Sequence, residues 1–403
     1  LSQTVGPRLW RIAKANSLHT LGDYLELRFN RAVRGIIAVV LWFGTLAILA
    51  GQIIAIAWIL NVVIGLPKWA GCLAGGSVAI LYCVAGGLAS TAIVNILELA
   101  VTMSGLILAA IFAVNHAGGI SALFSAAAAQ TQSLKPGYTS ITGAGAKQIL
   151  AYVAILVPSF ICSPGLVQKL YGARDERAVR IGVALNSAGQ LVFAFVPALF
   201  GMIAVVALPA LTNPELALPS VMTHAVPRWI GLWALAAVFS AELSATDAIL
   251  FMLSSSLSID LYKTFLNPSA TQQKLLRVGR IATVAAGAAG IGLAVALPSV
   301  ISAVTIFYGL LAVGLFVPLI FGLYWKRMTT VAALVSIAGA IAADLAAFTF
   351  TRGSGIGLLS PHAFGILVAL ALASAMSIFG PQQRSAEVLP DSRAASRTGG
   401  ASR

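Results

Sequence analysis

Charge is what this sequence has least of. Only 9% of its 403 residues are Asp, Glu, Lys or Arg, against roughly 25% in an ordinary soluble domain, and 59% are hydrophobic. A soluble core of this length would show polar helix faces and charged loops, so apolar runs recurring along the whole chain exclude that class and imply a polytopic membrane protein. Cysteine is nearly as scarce. Cys72, Cys83 and Cys162 all fall within apolar runs and lack paired or metal-ligand spacing, which leaves them as small packing residues rather than a disulfide framework or a zinc site. Phosphate-binding glycine loops, metal-ligand clusters and catalytic triad patterns are also missing. These absences count against an ATP-driven pump and against a membrane enzyme. The formal charge of +13 comes from basic residues dispersed between apolar runs, not gathered in one patch, so the expected partner is the lipid bilayer and not nucleic acid.

Ten apolar segments are long enough to cross a hydrocarbon core, at about 32–64, 70–88, 90–116, 147–168, 178–207, 229–262, 278–298, 301–325, 330–351 and 361–380. Residues 1–31 form a mixed basic segment that includes the end of a truncated helix; 32–380 is the transmembrane domain, and 381–403 is a Ser/Arg/Gly-rich tail expected to be disordered. Alternating the ten spans from an inside N-terminus places 20 of the 25 Lys and Arg residues on that side, leaving Lys68, Lys135, Lys147, Arg228 and Arg352 opposite. That bias predicts a protein integral to the cell membrane with both ends of the chain cytoplasmic. The fourth span carries Pro158 and then Cys162-Ser163-Pro164-Gly165, which predicts either a proline kink or a local unwinding at membrane depth.

Four of the twelve acidic residues lie well inside spans: Glu98, Glu242, Asp247 and Asp344. An intramembrane carboxylate is costly and is a functional candidate by default. Glu98 and Asp344 are each readable as groups satisfied by a neighbouring hydroxyl or by water. Glu242 and Asp247 share a helix with Ser240, Ser244 and Thr246. On that helix Ala241, Ser244, Ala245 and Ala248 form one narrow small-residue face, while Ser240, Ser244, Asp247 and Phe251 form the adjacent row. Ser244 and Asp247 therefore point into a shared volume suited to Na⁺ or to a protonatable relay, and Glu242, about 100° round from Ala241, need not join them. Gln52, Asn61, Asn95, Asn186 and Gln190 add neutral polar groups in other spans, as interhelical hydrogen bonds or as binding residues.

The order of several segments resembles the sodium:solute symporter family, which includes sodium/glucose, proline and pantothenate transporters. They are Thr20 to Phe29 (TLGDYLELRF), Tyr82 to Leu88, Pro164 to Ala173, Ala241 to Lys263, and Phe316 to Arg327. The resemblance implies an all-α fold with a five-plus-five inverted repeat of the LeuT type, working by alternating access around a midplane site. In that alignment the first core helix and most of the second fall before Leu1, as expected of an N-terminally truncated sequence. The family's sodium site maps its alanine and two hydroxyl residues onto Ala241, Ser244 and Ala245, so one expected hydroxyl is replaced by alanine. Asp247 matches an aspartate found in many members, and a family aspartate associated with a second ion falls on Asn95. Candidate solute contacts are Ser159 and Phe160 on the broken helix, Gln190 where sugar carriers have a lysine, and Gln52. The resemblance implies Na⁺-coupled symport of a small organic solute, with Na⁺ at Ser244 and no other cofactor. Alternatives are a proton-coupled or uncoupled carrier titrating at Glu242, Asp247 or Glu98, and a non-transporting sensor or inactive remnant.

Overall fold

The computed structural model describes residues 3–86, 88–131, 137–140 and 142–379, without the side chains of residues 85–96 and 260. Their helices are α1 (Val5–Asn16), α2 (Leu21–Arg28), α3 (Arg31–Ile64), α4 (Lys68–Gly86), α5 (Leu88–His116), α6 (Ile120–Thr131), α7 (Ala146–Cys162) and α8 (Pro164–Tyr171). After them come α9 (Glu176–Phe193), α10 (Phe195–Ala207), α11 (Ala217–His224), α12 (Arg228–Ser255), α13 (Gln272–Ala296), α14 (Val300–Tyr324), α15 (Thr330–Thr351) and α16 (Pro361–Phe379). Helices dominate because hydrocarbon offers the backbone no hydrogen-bond partner, so each spanning segment must satisfy its own amides.

Among the described residues nine helical stretches are long and apolar enough to cross a membrane, and the helix Lys68–Val84 is a shorter apolar one. Together they correspond to the ten expected segments. The fourth is interrupted as its prolines predict: α7 contains Pro158, Ser163 turns to ψ 120°, and α8 restarts with Pro164 at its first position. Neither proline can donate a backbone N–H, so the ladder loses two rungs by chemistry alone. The sixth continues from α12 into a wider π-type coil over Ser256–Leu266. Helices α1, α2, α6 and α11, of 12, 8, 12 and 8 residues, are too short to cross a membrane.

The chain divides into two compact units. One comprises Leu1–Val40, Leu150–Leu185 and Gly309–Arg403; the other comprises Leu41–Ile149 and Asn186–Tyr308.

In the first unit, α1 buries Val5, Leu9, Ile12 and Ala13, and it packs with α2 against α8. The Thr20 hydroxyl accepts from the Asp23 amide at 3.1 Å, and the Asp23 carboxylate accepts from the Thr20 amide at 2.8 Å, a reciprocal cap that starts α2. Arg28 is only 7% exposed and donates to the carbonyls of Gly322, Trp325 and Met328 at 2.9, 3.2 and 3.0 Å. These are carbonyls at the end of α14, where the helix runs out of internal donors. Arg34 bridges Asp23 at 3.0 Å and Glu26 at 2.8 Å. Tyr24 is fully buried beside this network, and its hydroxyl has no hydrogen-bond partner among the described residues. Burial pushes the Tyr24 phenol above its ordinary range and lowers the Arg28 guanidinium from its own. In the α15–α16 hairpin, Asp344 and His362 approach at 3.0 Å without hydrogen-bond geometry. The neighbour of Asp344 is thus an imidazole.

In the second unit α12 packs along α5 and also against α4, α11 and α13, with α4 packed on α13. A Cβ added to Gly105 of α5 would lie 2.6 Å from the Ala237 Cβ of α12. Glycine is required there because the two backbones approach that closely. The buried Thr102 hydroxyl donates to the Ala237 carbonyl at 3.1 Å, and Trp233 donates to the Ser104 hydroxyl at 3.2 Å. One apolar core joins α5, α10, α11 and α12 around Phe200, Ile203, Met222 and Leu235; another joins α3, α12 and α13 around Leu49, Ile53, Leu250 and Ile291.

Candidate functional site

The packing of α12 fixes what its polar residues can do. Leu235, Ile249, Leu250 and Leu253 are buried in the two cores of the second unit, so the rows between them are held at a set azimuth. Asp247 is 9% exposed and Thr246 fully buried, whereas Ala241, Ser244 and Ala245 are half-buried and Ala248 is exposed. The Thr246 hydroxyl donates to the Glu242 carbonyl at 2.6 Å, satisfying itself within its own helix. That arrangement leaves Ser240, Ser244 and Asp247 as the oxygen-bearing side chains of one row, with the Ala245 methyl beside them.

Across from α12, the Cys83 thiol of α4 lies beside the Asp247 carboxylate. The adjacent Tyr82 lies within electrostatic reach of both Asp247 and Glu98. Cys83 is the half-buried cysteine of the three, while Cys72 and Cys162 are buried. It is therefore a polar partner of an intramembrane carboxylate and not only the packing residue expected. Neither Glu98 Oε2 nor Glu242 Oε2, both shielded from solvent, has a hydrogen-bond partner among the described residues. Asn95 lies on α5, but its side chain is outside the described residues.

The candidate solute residues are placed less coherently. Ser159 and Phe160 belong to the first unit, on the last turn of α7 before the break. Ser159 is fully buried and its hydroxyl donates to the Ile155 carbonyl; Phe160 is 38% exposed. The Cys162 thiol closes that turn, donating to the Pro158 carbonyl at 2.8 Å and to the Leu311 carbonyl of α14 at 3.5 Å. Gln52 on α3 is half-buried and Gln190 on α9 is exposed, both in the second unit. Asn61 donates to the Leu66 carbonyl at 2.8 Å, closing the turn after α3.

In the sequence Cys83 reads only as a packing residue, and Tyr82 and Glu215 carry little site signal. Glu215 sits on a single 3₁₀ turn, Pro214–Leu216, in the connection from α10 to α12. Its carboxylate accepts from the Trp58 indole at 2.7 Å and from the Val300 amide at 2.8 Å. The signal in the sequence was slight: one carboxylate in an Asn-Pro-Glu turn, where the asparagine side chain accepts from the Glu215 amide at 3.1 Å.

Helices that satisfy their own backbones, one of them discontinuous, and carboxylates buried within spanning segments define a membrane transporter of the secondary active class. The chain belongs to the sodium:solute symporter family, which matches residues 3–339. It is 22% identical over 380 residues to a sodium/glucose cotransporter of Vibrio parahaemolyticus, covering 84% of this chain and 68% of that one. It is 27% identical over 348 residues to the sodium/pantothenate symporter of Escherichia coli (strain K12), covering 82% and 69%. The sodium/proline symporter of Salmonella typhimurium is 26% identical over 349 residues, covering 81% and 67%. Among solved structures, the substrate-bound outward-open state of a Na⁺-coupled sialic acid symporter aligns with a TM-score of 0.74 over 94% of this chain and 84% of that one, at 19% identity. That likeness establishes the five-plus-five LeuT-type fold. Membership makes the protein a sodium-coupled secondary transporter of the membrane and not an enzyme.

Proposed function

We propose that the protein carries a small organic solute across the cell membrane with Na⁺ held on α12, by the Ser244 hydroxyl, the Asp247 carboxylate and the Ala241 carbonyl. The observation that carries this reading is Asp247, a buried carboxylate on Ser244's row within a spanning helix. Oxygen ligands on a rigid helix suit a hard cation, and a carboxylate cancels its charge where water is scarce. Ala245 leaves the site one oxygen poorer than the family pattern, and Asn95 offers a neutral amide in place of a second carboxylate. Ser159, Phe160, Gln52 and Gln190 are the candidate solute contacts. The placement of 20 of 25 basic residues supports cytoplasmic ends for this chain.

Coupling follows from shared binding free energy: a cation that binds one conformation better populates it, which raises the apparent affinity of a solute that prefers the same conformation, and the reverse holds equally. The test is uptake by the full chain in proteoliposomes of a panel including glucose, proline and pantothenate, under imposed Na⁺ or H⁺ gradients. Uptake that follows the Na⁺ gradient is expected. Uptake that follows H⁺ alone, or neither ion, overturns the reading.

A further inference from the structure

In the first unit, the elbow between α8 and α9 carries more positive charge than its own acids balance. Residues 172–175 join the spanning stretches Ala146–Tyr171 and Glu176–Ala207. Four residues rise no more than about 7 Å on the way out and back, so the turn stays at the depth of the lipid headgroups that border the hydrocarbon. Helix α1 is tied to this elbow: the Trp10 indole donates to the Ala173 carbonyl at 2.9 Å, and Arg11 approaches Glu176 at 3.6 Å. Helical spacing then gathers the basic residues. Lys14 stands one turn beyond Trp10 on α1, while Lys169 and Arg177 lie one turn before and one turn after Ala173. With Arg11, Arg174 and Arg180 these are six cations against two carboxylates, Asp175 and Glu176, and both carboxylates are engaged. Asp175 accepts from the Ala178 amide at 2.7 Å and from Arg174 at 3.1 Å, and Glu176 accepts from Arg180 at 2.6 Å. The acids of neighbouring α2, Asp23 and Glu26, are held by Arg34. Lys14, Lys169 and Arg177 are exposed and make no ion pair among the described residues.

We propose that this face docks anionic phospholipid, its unpaired cations binding headgroup phosphates that pin α1 to the α8–α9 elbow. The bilayer is the occupant because a span on either side holds the elbow at headgroup depth, where phosphates are the nearest anions. Long Lys and Arg side chains suit the contact, since their heads reach the phosphate while their stems rest on apolar surface. Each basic residue beside an anionic surface changes binding by about fivefold, so three unpaired cations make a strong preference without a preformed pocket. The sign follows from the charge: headgroup phosphates offset repulsion among the cations of α1, α8 and α9 and hold the three helices together. The surface lies wholly within the first unit, and the proposal does not depend on where Na⁺ is held.

The experiment uses the full chain in nanodiscs of phosphatidylcholine, alone or mixed with phosphatidylglycerol. Hydrogen–deuterium exchange is read over residues 5–16 and 169–180, and native mass spectrometry reads which lipids stay bound. Phosphatidylglycerol is expected to be retained over phosphatidylcholine and to slow exchange over both segments about fivefold. The combined variant Lys14→Gln, Lys169→Gln and Arg177→Gln leaves the Trp10 and Arg11 tethers in place and is expected to lose both effects. Lys14→Gln alone, at the exposed end of α1, is expected to lose part of each and serves if the combined variant does not fold. Equal exchange and equal retention in the two lipids overturn the proposal. So does a phosphatidylglycerol effect that survives in the folded variants undiminished, which would place the lipid elsewhere. Inorganic phosphate or polyglutamate that reproduces the slowing in phosphatidylcholine would assign the face to a soluble anion and overturn the membrane reading.

Discussion

The Cys83 thiol of α4 faces the Asp247 carboxylate of α12, bringing a carboxylate of one spanning helix to a thiol on another. Cys83 is also half-buried where Cys72 and Cys162 are buried. N-ethylmaleimide should therefore modify one cysteine, Cys83, and saturating Na⁺ should slow the reaction. Peptide mass spectrometry reads both. Cys83→Ser, which keeps a donor, should retain Na⁺ affinity, and Cys83→Ala should weaken it by about threefold; equal behaviour of the two variants would mean the thiol does not orient Asp247.

The missing hydroxyl on α12 predicts a gain of function. Ala245→Ser places an oxygen one residue from Ser244, and the half-saturating Na⁺ concentration should fall by about three- to tenfold. Ser244→Ala should raise it by a comparable factor. ²²Na⁺ binding to purified protein measures each, and no change in either variant would move the cation away from this row.

Arg28 predicts a stability loss. Its guanidinium reaches three carbonyls at the end of α14, a spread that a single ammonium group does not match. Arg28→Lys should cost about 2–3 kcal/mol and lower the midpoint of thermal unfolding in detergent. An unchanged midpoint would show that water serves those carbonyls equally well.

Tyr24 behaves oppositely. Its buried hydroxyl lacks a hydrogen-bond partner among the described residues, so Tyr24→Phe should be neutral or stabilising by up to about 1 kcal/mol. The raised phenol favours the folded state fully below the ordinary tyrosine range, near pH 10, and that contribution fades as pH climbs towards the higher folded value. The phenylalanine variant should consequently lose less stability than the native protein between pH 8 and pH 11. Identical alkaline losses would place the phenol in contact with water.

Gly105 offers a packing test. Any Cβ there meets the Ala237 Cβ at 2.6 Å, so Gly105→Val should force α5 and α12 apart at a cost of about 1–3 kcal/mol. Weakened Na⁺ binding should accompany the loss. If binding is untouched, the α5–α12 spacing does not set the cation row.

What was legible in the sequence follows the range of the physics. The spans are visible because an apolar run satisfies its own backbone without outside help, and the break at Ser163 because proline chemistry acts within four residues. Thr20 and Asp23 announce a helix start through local spacing. The same segment's Arg28, however, binds carbonyls of residues 322 to 328, which no local pattern encodes. Ser244 and Asp247 share a row by helical geometry alone. That Cys83 meets Asp247 depends on how two helices are rotated about their own axes, and the rotation is set by side chains such as Leu250 and Ile80 in the core around them. Glu215 was missed for a similar reason: its partners are on α3 and α14, and its own neighbours in sequence make an ordinary turn.

The interruption between α7 and α8 has a mechanical meaning. Bending an intact spanning helix requires rupturing backbone bonds where no water can replace them, whereas here Pro158 and Pro164 have left those bonds unformed from the moment of synthesis. The short helix α8 meets α7 at Ser163 without those bonds, and α1 and α2 pack on it. A carrier that must rearrange on every turnover gains speed from a joint that never has to be broken open.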